Sequence, residues 1–203
     1  MSAIMYLVNK FTFPLRLVLP QNVVSWLGLD PVLEDRIHEV YPLLRGRVLD
    51  VGCGDNNLMK RWGNGQGVDI DNWNDAVDVV CKDTSNLPFD AAEFDVVTFI
   101  ACLNHIPNRE EALDEAYRVM KPQGTIVLTM ITPKLGVFVH MLVAHWDRDQ
   151  NERKMDEKEE WGLSDDHLRQ MLNNAGFCRV HMKRFGFLGF NHLFVAQKSE
   201  TVQ

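Results

Sequence analysis

The run Val48-Leu49-Asp50-Val51-Gly52-Cys53-Gly54-Asp55-Asn56 constrains this chain more than any other, because an apolar stretch of strand length passes straight into a glycine turn leading toward a short helical segment. Glycine has no Cβ, so such a turn lets backbone N–H groups approach a ligand closely. Gly67-Val68-Asp69-Ile70-Asp71 follows after the length of one crossover helix and a neighbouring strand. A carboxylate at that strand's carboxyl end can accept hydrogen bonds from both hydroxyls of a ribose, a role that falls first to Asp69 and second to Asp71. Next comes Lys82-Asp83-Thr84-Ser85-Asn86-Leu87-Pro88-Phe89, after the apolar run 77–81. Asp83 there suits the exocyclic amine of an adenine, with Leu87 and Phe89 as apolar surface near the ring or in the core beneath. An aspartate after a strand is as often only a turn former.

The remaining periodicities surround these segments with an α/β frame. Apolar runs of strand length occupy 47–51, 67–70, 77–81, 94–101 and 125–131. Asp30-Pro31 is expected to open a helix, Asp30 capping it and Pro31 in its first turn, with Leu33, Ile37, Val40, Tyr41 and Leu44 on its inner face up to Gly46. A second helix is expected over 108–120, where Asn108 and Glu111 have the spacing of a capping box; it ends at Lys121-Pro122-Gln123-Gly124. A third runs from Ser164 to Gly176, and the chain closes with β-like runs 178–187 and 192–197 that read as an antiparallel hairpin. Strands alternating with helices imply a doubly wound, mostly parallel α/β sheet with helices on both faces and one antiparallel member.

With 203 residues the chain suits one domain. We divide it into an N-terminal helical or lid segment (1–46), a core (47–133), a lid or substrate-side insertion (134–163) and a C-terminal helix with hairpin (164–203). A formal charge of −7 with no dense basic run disfavours nucleic acid as partner. Cys53, Cys81, Cys102 and Cys178 form no Cys-x-x-Cys pair, so no metal is expected, and reduced thiols fit a cytoplasmic setting. Segment 4–29 is interrupted by Lys10, Pro14, Arg16, Pro20, Gln21 and Asn22, which excludes a conventional spanning helix there. Interfacial membrane contact by 1–29 has little support, since only two basic residues lie in it and its prolines should break a long amphipathic helix. Nothing in the sequence signals an oligomer.

Taken in order, these segments resemble the seven-stranded S-adenosylmethionine-dependent methyltransferases, whose members carry a strand–Asp-x-Gly-x-Gly turn, a Gly-x-Asp strand end and an Asp-x-x-x-Leu-Pro-Phe loop. The resemblance is strong over 48–131 and weaker as far as Gln197. Phe94-Asp95-Val96-Val97 matches the fourth strand, Leu103-Asn104-His105-Ile106 the loop after it, and Val119-Met120-Lys121-Pro122-Gln123-Gly124-Thr125 the approach to the fifth. The resemblance implies S-adenosylmethionine as cofactor. It places Asp50, Gly52, Cys53 and Gly54 at the methionine part, Asp69 with Ile70 at the ribose, Asp83 with Thr84 at the adenine edge, and Ala101 and Cys102 beside the cofactor. Two departures stand out. Asn56 replaces the third glycine of the first motif, which threatens close approach to the cofactor, and only residues 72–76 separate the second and third strands, which leaves the adenine side more open. A nicotinamide-binding dehydrogenase fits worse, because Asn57 stands where Gly-x-Gly-x-x-Gly needs glycine.

Methyl transfer from a sulfonium is an in-line displacement, in which the protein's main contribution is to position the reactants. His105 is the candidate base for a protic acceptor, with His140 and His145 as alternatives; a histidine in this loop can equally serve only to organise it. The N-terminal apolar segment (Tyr6, Phe11, Phe13, Trp26) and 135–161 are expected to shape the pocket for a small, lipophilic acceptor, or simply to pack over the sheet edge; the charged run 147–160 suits a solvated helix. The rival readings are a cofactor-binding but non-catalytic regulatory or scaffold module and a protein methyltransferase.

Overall fold

The computed structural model describes residues 3–133, 136–138, 141, 160 and 162–199. Seven strands form one sheet: β1 (Val48–Val51), β2 (Gly65–Asp69), β3 (Val79–Val80), β4 (Phe94–Ile100), β5 (Met120–Ile131), β6 (Phe177–Phe185) and β7 (Asn191–Lys198), in the order β3-β2-β1-β4-β5-β7-β6. All neighbours pair in parallel except β7, which lies antiparallel to both β5 and β6. The expected doubly wound, mostly parallel sheet with a C-terminal antiparallel hairpin is therefore the observed one.

Alternation along the strands sorts the core into two layers. Val48, Val96, Val127 and Leu193 face α3 (Val32–Val40) and α4 (Asn57–Trp62), where Ile37, Val40, Leu58 and Met59 cover them. Leu49, Val97, Phe99, Ile126, Leu128 and Phe194 point the other way, against Leu113, Ala116, Leu168 and Leu172 of α5 (Arg109–Val119) and α6 (Asp165–Asn174). Asp50 and Thr98 fall in the α3 layer by the same alternation, so a carboxylate is buried where the flanking positions carry valine.

Helices α1 (Ala3–Val18) and α2 (Gln21–Trp26) cap that layer. The expectation that prolines interrupt this segment is corrected at Pro14, which lies inside a continuous α1, four residues before its end. There it removes a single intrahelical bond, and tertiary anchors hold the helix. The anchors are polar: Arg16 donates to Asp30 O, Asn9 O and Asp35 Oδ2, while Asn9 Nδ2 donates to Asp30 Oδ2. Phe13 adds a stack on Phe187 with centroids 5.8 Å apart. Polar residues thus face inward, while Ile4, Leu7, Phe11 and Leu15 lie outside. Among the described residues no helix is long and apolar enough to cross a membrane.

Four local expectations change. Asp30 does not cap α3; its carboxylate is taken by Asn9 and the cap position is Pro31. Asn108 precedes α5 without a side-chain capping bond, because its Nδ2 donates to Asp83 Oδ1 at 2.8 Å. The third strand shrinks to Val79–Val80, and β5 starts at Met120, which pairs with Phe94 before a register shift absorbs the following turn. Ser164 caps α6 as expected, accepting from His167 N.

Candidate functional site

Open parallel sheets bind ligands beyond the carboxyl ends of the strands where the strand order reverses. Here that point lies between β1 and β4. A cavity of about 1020 Å³ opens there, at the upper end of the usual range for ligand pockets, so a cofactor and an acceptor can share it. Asp50, Gly52, Cys53, Gly54, Asp69, Ile70, Asp83, Thr84, Ala101, Cys102 and His105 all line it. Asp71 does not, and Leu87 and Phe89 lie in or against the core, Phe89 edge-on to Phe94.

The glycine turn owes its shape to left-handed backbone. Gly52 and Gly54 have φ of +69° and +53°. A Cβ on Gly52 would stand 2.7 Å from Cys102 Cβ, whereas one on Gly54 would enter open space, so Gly54 presents bare backbone to the cavity. Asp69 ties the turn to β2: its Oδ2 accepts from Gly54 N at 2.9 Å, and its Oδ1 accepts from Ile70 N at 2.8 Å. Asp71 N also donates to Oδ1 at 3.3 Å, so of the carboxylate's roughly four acceptor positions the one left for a ligand hydroxyl is on Oδ2. Ala101 adopts φ +55°, which costs an alanine about 1–2 kcal/mol. That bend turns Cys102 beneath Gly52, where its Sγ donates to Val51 O at 2.9 Å.

Burial and the neighbouring Asp69 raise the Asp50 carboxyl to about 7, against the opposing hydrogen bond from Thr98 Oγ1 at 2.5 Å. The same environment raises the Cys53 and Cys102 thiols, chiefly by burial, so both remain protonated and unsuited to nucleophilic attack. Asp83 is held below its ordinary value by bonds from Asn108 and Ser85, all to Oδ1, leaving Oδ2 for another donor. His105 is half-buried in the turn Leu103–His105 after β4. This loop is pinned by Asn104 and Arg109 to residue 160: Asn104 Nδ2 donates to Glu160 O, Glu160 N donates to Asn104 O, and Arg109 pairs with the Glu160 carboxylate. His140, His145 and most of the proposed 134–163 lid lie outside the described residues.

The two departures in the cofactor motifs turn out to be one arrangement. Asn56 occupies the left-handed region at φ 56°, which asparagine tolerates, and its side chain turns away from the cavity. Its Nδ2 donates to Ala76 O at 3.0 Å and Asp78 Oδ2 at 2.9 Å. Only a single 3-10 turn, Trp73–Asp75, joins β2 to β3, and this short link brings residues 76–78 within reach of Asn56. Gly67 completes the contact, donating its N–H to Asp78 Oδ2 at 2.7 Å.

The opposite wall is built by segments the motifs do not mark. Leu17 and Val24 come from α1 and α2, Leu19 and Pro20 from the link between them, Leu33, Arg36 and Ile37 from α3, and Ile100, Met130 and Ile131 from the ends of β4 and β5. Sequence reasoning missed Arg36. The signal was present: it stands three residues after Leu33 and four before Val40, inside the apolar stripe of α3. The aromatic residues expected to shape this wall serve elsewhere, Phe13 packing on the Phe187 turn and Phe11 and Trp26 lying exposed.

An open α/β sheet with a glycine-turn cavity at its switch point defines a class of nucleotide-type ligand binders; comparison with known proteins narrows it. A family described as the methyltransferase domain matches residues 27–181, and this chain belongs to that family. A demethylmenaquinone methyltransferase of Staphylococcus haemolyticus is 30% identical over 139 residues, covering 62% of this chain and 58% of that protein. The Staphylococcus aureus protein of the same name is 31% identical over the same length. The aligned part thus spans under three fifths of these relatives. Among solved structures, a methyltransferase from Thermotoga maritima described as a possible histamine N-methyltransferase superposes with a TM-score of 0.64 at 19% identity, covering 82% of this chain and 89% of that one. An S-adenosylmethionine-dependent methyltransferase from Archaeoglobus fulgidus gives 0.61 at 18% identity, covering 83% and 95%. Both share the fold.

Proposed function

We propose that this protein transfers the methyl group of S-adenosylmethionine to a small lipophilic acceptor. The observation that carries this reading is the cavity at the switch point, whose one wall gathers Asp50, Gly52, Gly54, Asp69, Asp83 and Cys102 and whose other wall is mainly aliphatic. The residues fit the cofactor: Gly54 offers bare backbone, Asp69 keeps acceptor capacity for a ribose hydroxyl, Asp83 Oδ2 suits the adenine amine, and Asp50 suits an ammonium group. When bound, S-adenosylmethionine supplies an electrophilic methyl on a sulfonium.

The chain's own part is positional. The turn 52–54 and Asp69 hold one partner, the cap formed by α1, α2 and α3 holds the other and excludes water, and no covalent enzyme intermediate is required. His105 faces the same cavity and is the residue we assign to remove a proton from a protic acceptor. A lipophilic acceptor agrees with the name of the Staphylococcus relatives, whose substrate is demethylmenaquinone.

Calorimetric titration with S-adenosylmethionine, S-adenosylhomocysteine and NAD tests the reading. Binding of both adenosyl ligands without NAD supports it. Absence of adenosyl binding overturns it.

A further inference from the structure

The aliphatic wall of the cavity contains a charge that the fold does not use. Arg16 and Arg36 both line it, and their situations differ. Arg16 is consumed by structure, its Nη atoms bonded to Asp30 O, Pro31 O, Asn9 O and the Asp35 carboxylate. Arg36 makes one hydrogen bond among the described residues, from Nε to Asn191 Oδ1 at 3.2 Å. That bond orients the guanidinium from the side and, among the described residues, leaves both Nη groups without an acceptor. The nearest counter-charge acting on it, Asp35, is already paired with Arg16 at 2.6 Å.

Arg36 is half-buried, and setting part of a guanidinium against an aliphatic wall is unfavourable unless something compensates it. Its pKa falls to about 10 through this burial, so it is still charged at neutral pH. Asp50, the carboxyl that shares its layer, is bonded through Oδ1 to Thr98 Oγ1. A planar fork of donors held inside a ligand cavity is the usual arrangement for gripping a carboxylate or another pair of oxygens.

We infer that Arg36, oriented by Asn191, is the specificity-determining anchor for an anionic oxygen on the acceptor, which makes the acceptor class an amphiphile with an apolar body and an acidic head. The apolar body lies along Leu17, Val24, Leu33 and Ile37, and the acidic oxygen meets the Nη atoms. This inference rests on the acceptor side assigned above, but its test does not need turnover.

Protein saturated with S-adenosylhomocysteine is titrated with decanoate, decanol and decyltrimethylammonium, three probes of one chain length and different heads. The wild type should bind decanoate at least tenfold more tightly than decanol and the cation most weakly. Arg36→Met, which keeps an unbranched stem in the wall, should bring decanoate and decanol within about threefold of each other, leaving decanol and S-adenosylhomocysteine affinities unchanged. Arg36→Lys should retain part of the preference. Equal binding of decanoate and decanol by the wild type, or a preference that survives in a folded Arg36→Met protein, overturns the inference. Failure of S-adenosylhomocysteine to bind strikes the proposed function instead, and the same three probes on the unloaded protein then decide the role of Arg36.

Discussion

The two walls of the cavity are made by different means. The cofactor wall is backbone: left-handed glycines, a strand end, and carboxylates whose oxygens are partly occupied by N–H groups. The opposite wall is side chain: aliphatic residues from helices and two strand ends, with Arg16 and Arg36 among them. Backbone sites tolerate little change because a new Cβ meets fixed atoms, whereas side-chain walls can be exchanged piece by piece. Under the proposed function the backbone wall serves the cofactor and the side-chain wall serves the acceptor.

Breaking the backbone wall should have the largest effect. Gly52→Ala introduces a Cβ against Cys102 at a φ that alanine resists, and should destabilise the fold by about 2–5 kcal/mol, read as a lowered urea midpoint. An unchanged midpoint would show that the turn has slack and that the contrast between walls is overdrawn. Next in size is the pH dependence set by Asp50. Its folded value is raised, from the usual range near 4 to about 7, so the folded state holds a proton that the unfolded chain has released within that window. Stability should therefore fall as pH rises from about 4 to about 7, by up to about 4 kcal/mol, and Asp50→Asn should flatten the slope in urea titrations at several pH values. A cationic cofactor beside Asp50 favours its ionised form, so affinity should tighten between pH 6 and 8; calorimetry in buffers of different ionisation enthalpy reads the released proton.

Asp69→Ala should weaken S-adenosylmethionine by about 1.5–3 kcal/mol through lost charge-assisted bonds. Unchanged affinity in the folded variant would remove Asp69 from the cofactor wall. The smallest effect is expected from Asn56→Gly, which keeps the left-handed backbone but loses two buried bonds. Thermal unfolding should show a loss of about 1–2 kcal/mol, with S-adenosylmethionine affinity within threefold of wild type. A large loss of affinity would place Asn56 on the cofactor wall after all.

The same contrast explains what could be read in advance. The sheet, its antiparallel last strand and every motif residue on the cavity were legible, because strand periodicity and turn glycines are local signals. Asp30 and Asn108 misled as helix caps because their partners, Asn9 and Asp83, are 21 and 25 residues away. Continuous helix through Pro14 was hidden for a related reason: the bonds that hold it come from Asp30 and Asp35. Arg36 required the tertiary fold, since an arginine in an apolar stripe gains meaning only when it faces a cavity and Asn191, 155 residues away, meets it.

Asn56, Gly67 and Asp78 also bear on how such a chain can change over generations. A Cβ at residue 67 would lie 2.1 Å from Asn56 Oδ1, and the Asp78 carboxylate serves Asn56 and Gly67 at once. The three positions are consequently coupled, so that a change at one alters what the other two can be. A relative that regrows a full helix between the second and third strands would carry Asp78 out of reach, and its position 56 would be free to revert to glycine. Grafting the first motif of such a relative onto this chain would leave Asp78 Oδ2 with Gly67 N as its remaining donor of the two unless the segment from 67 to 78 travelled with it.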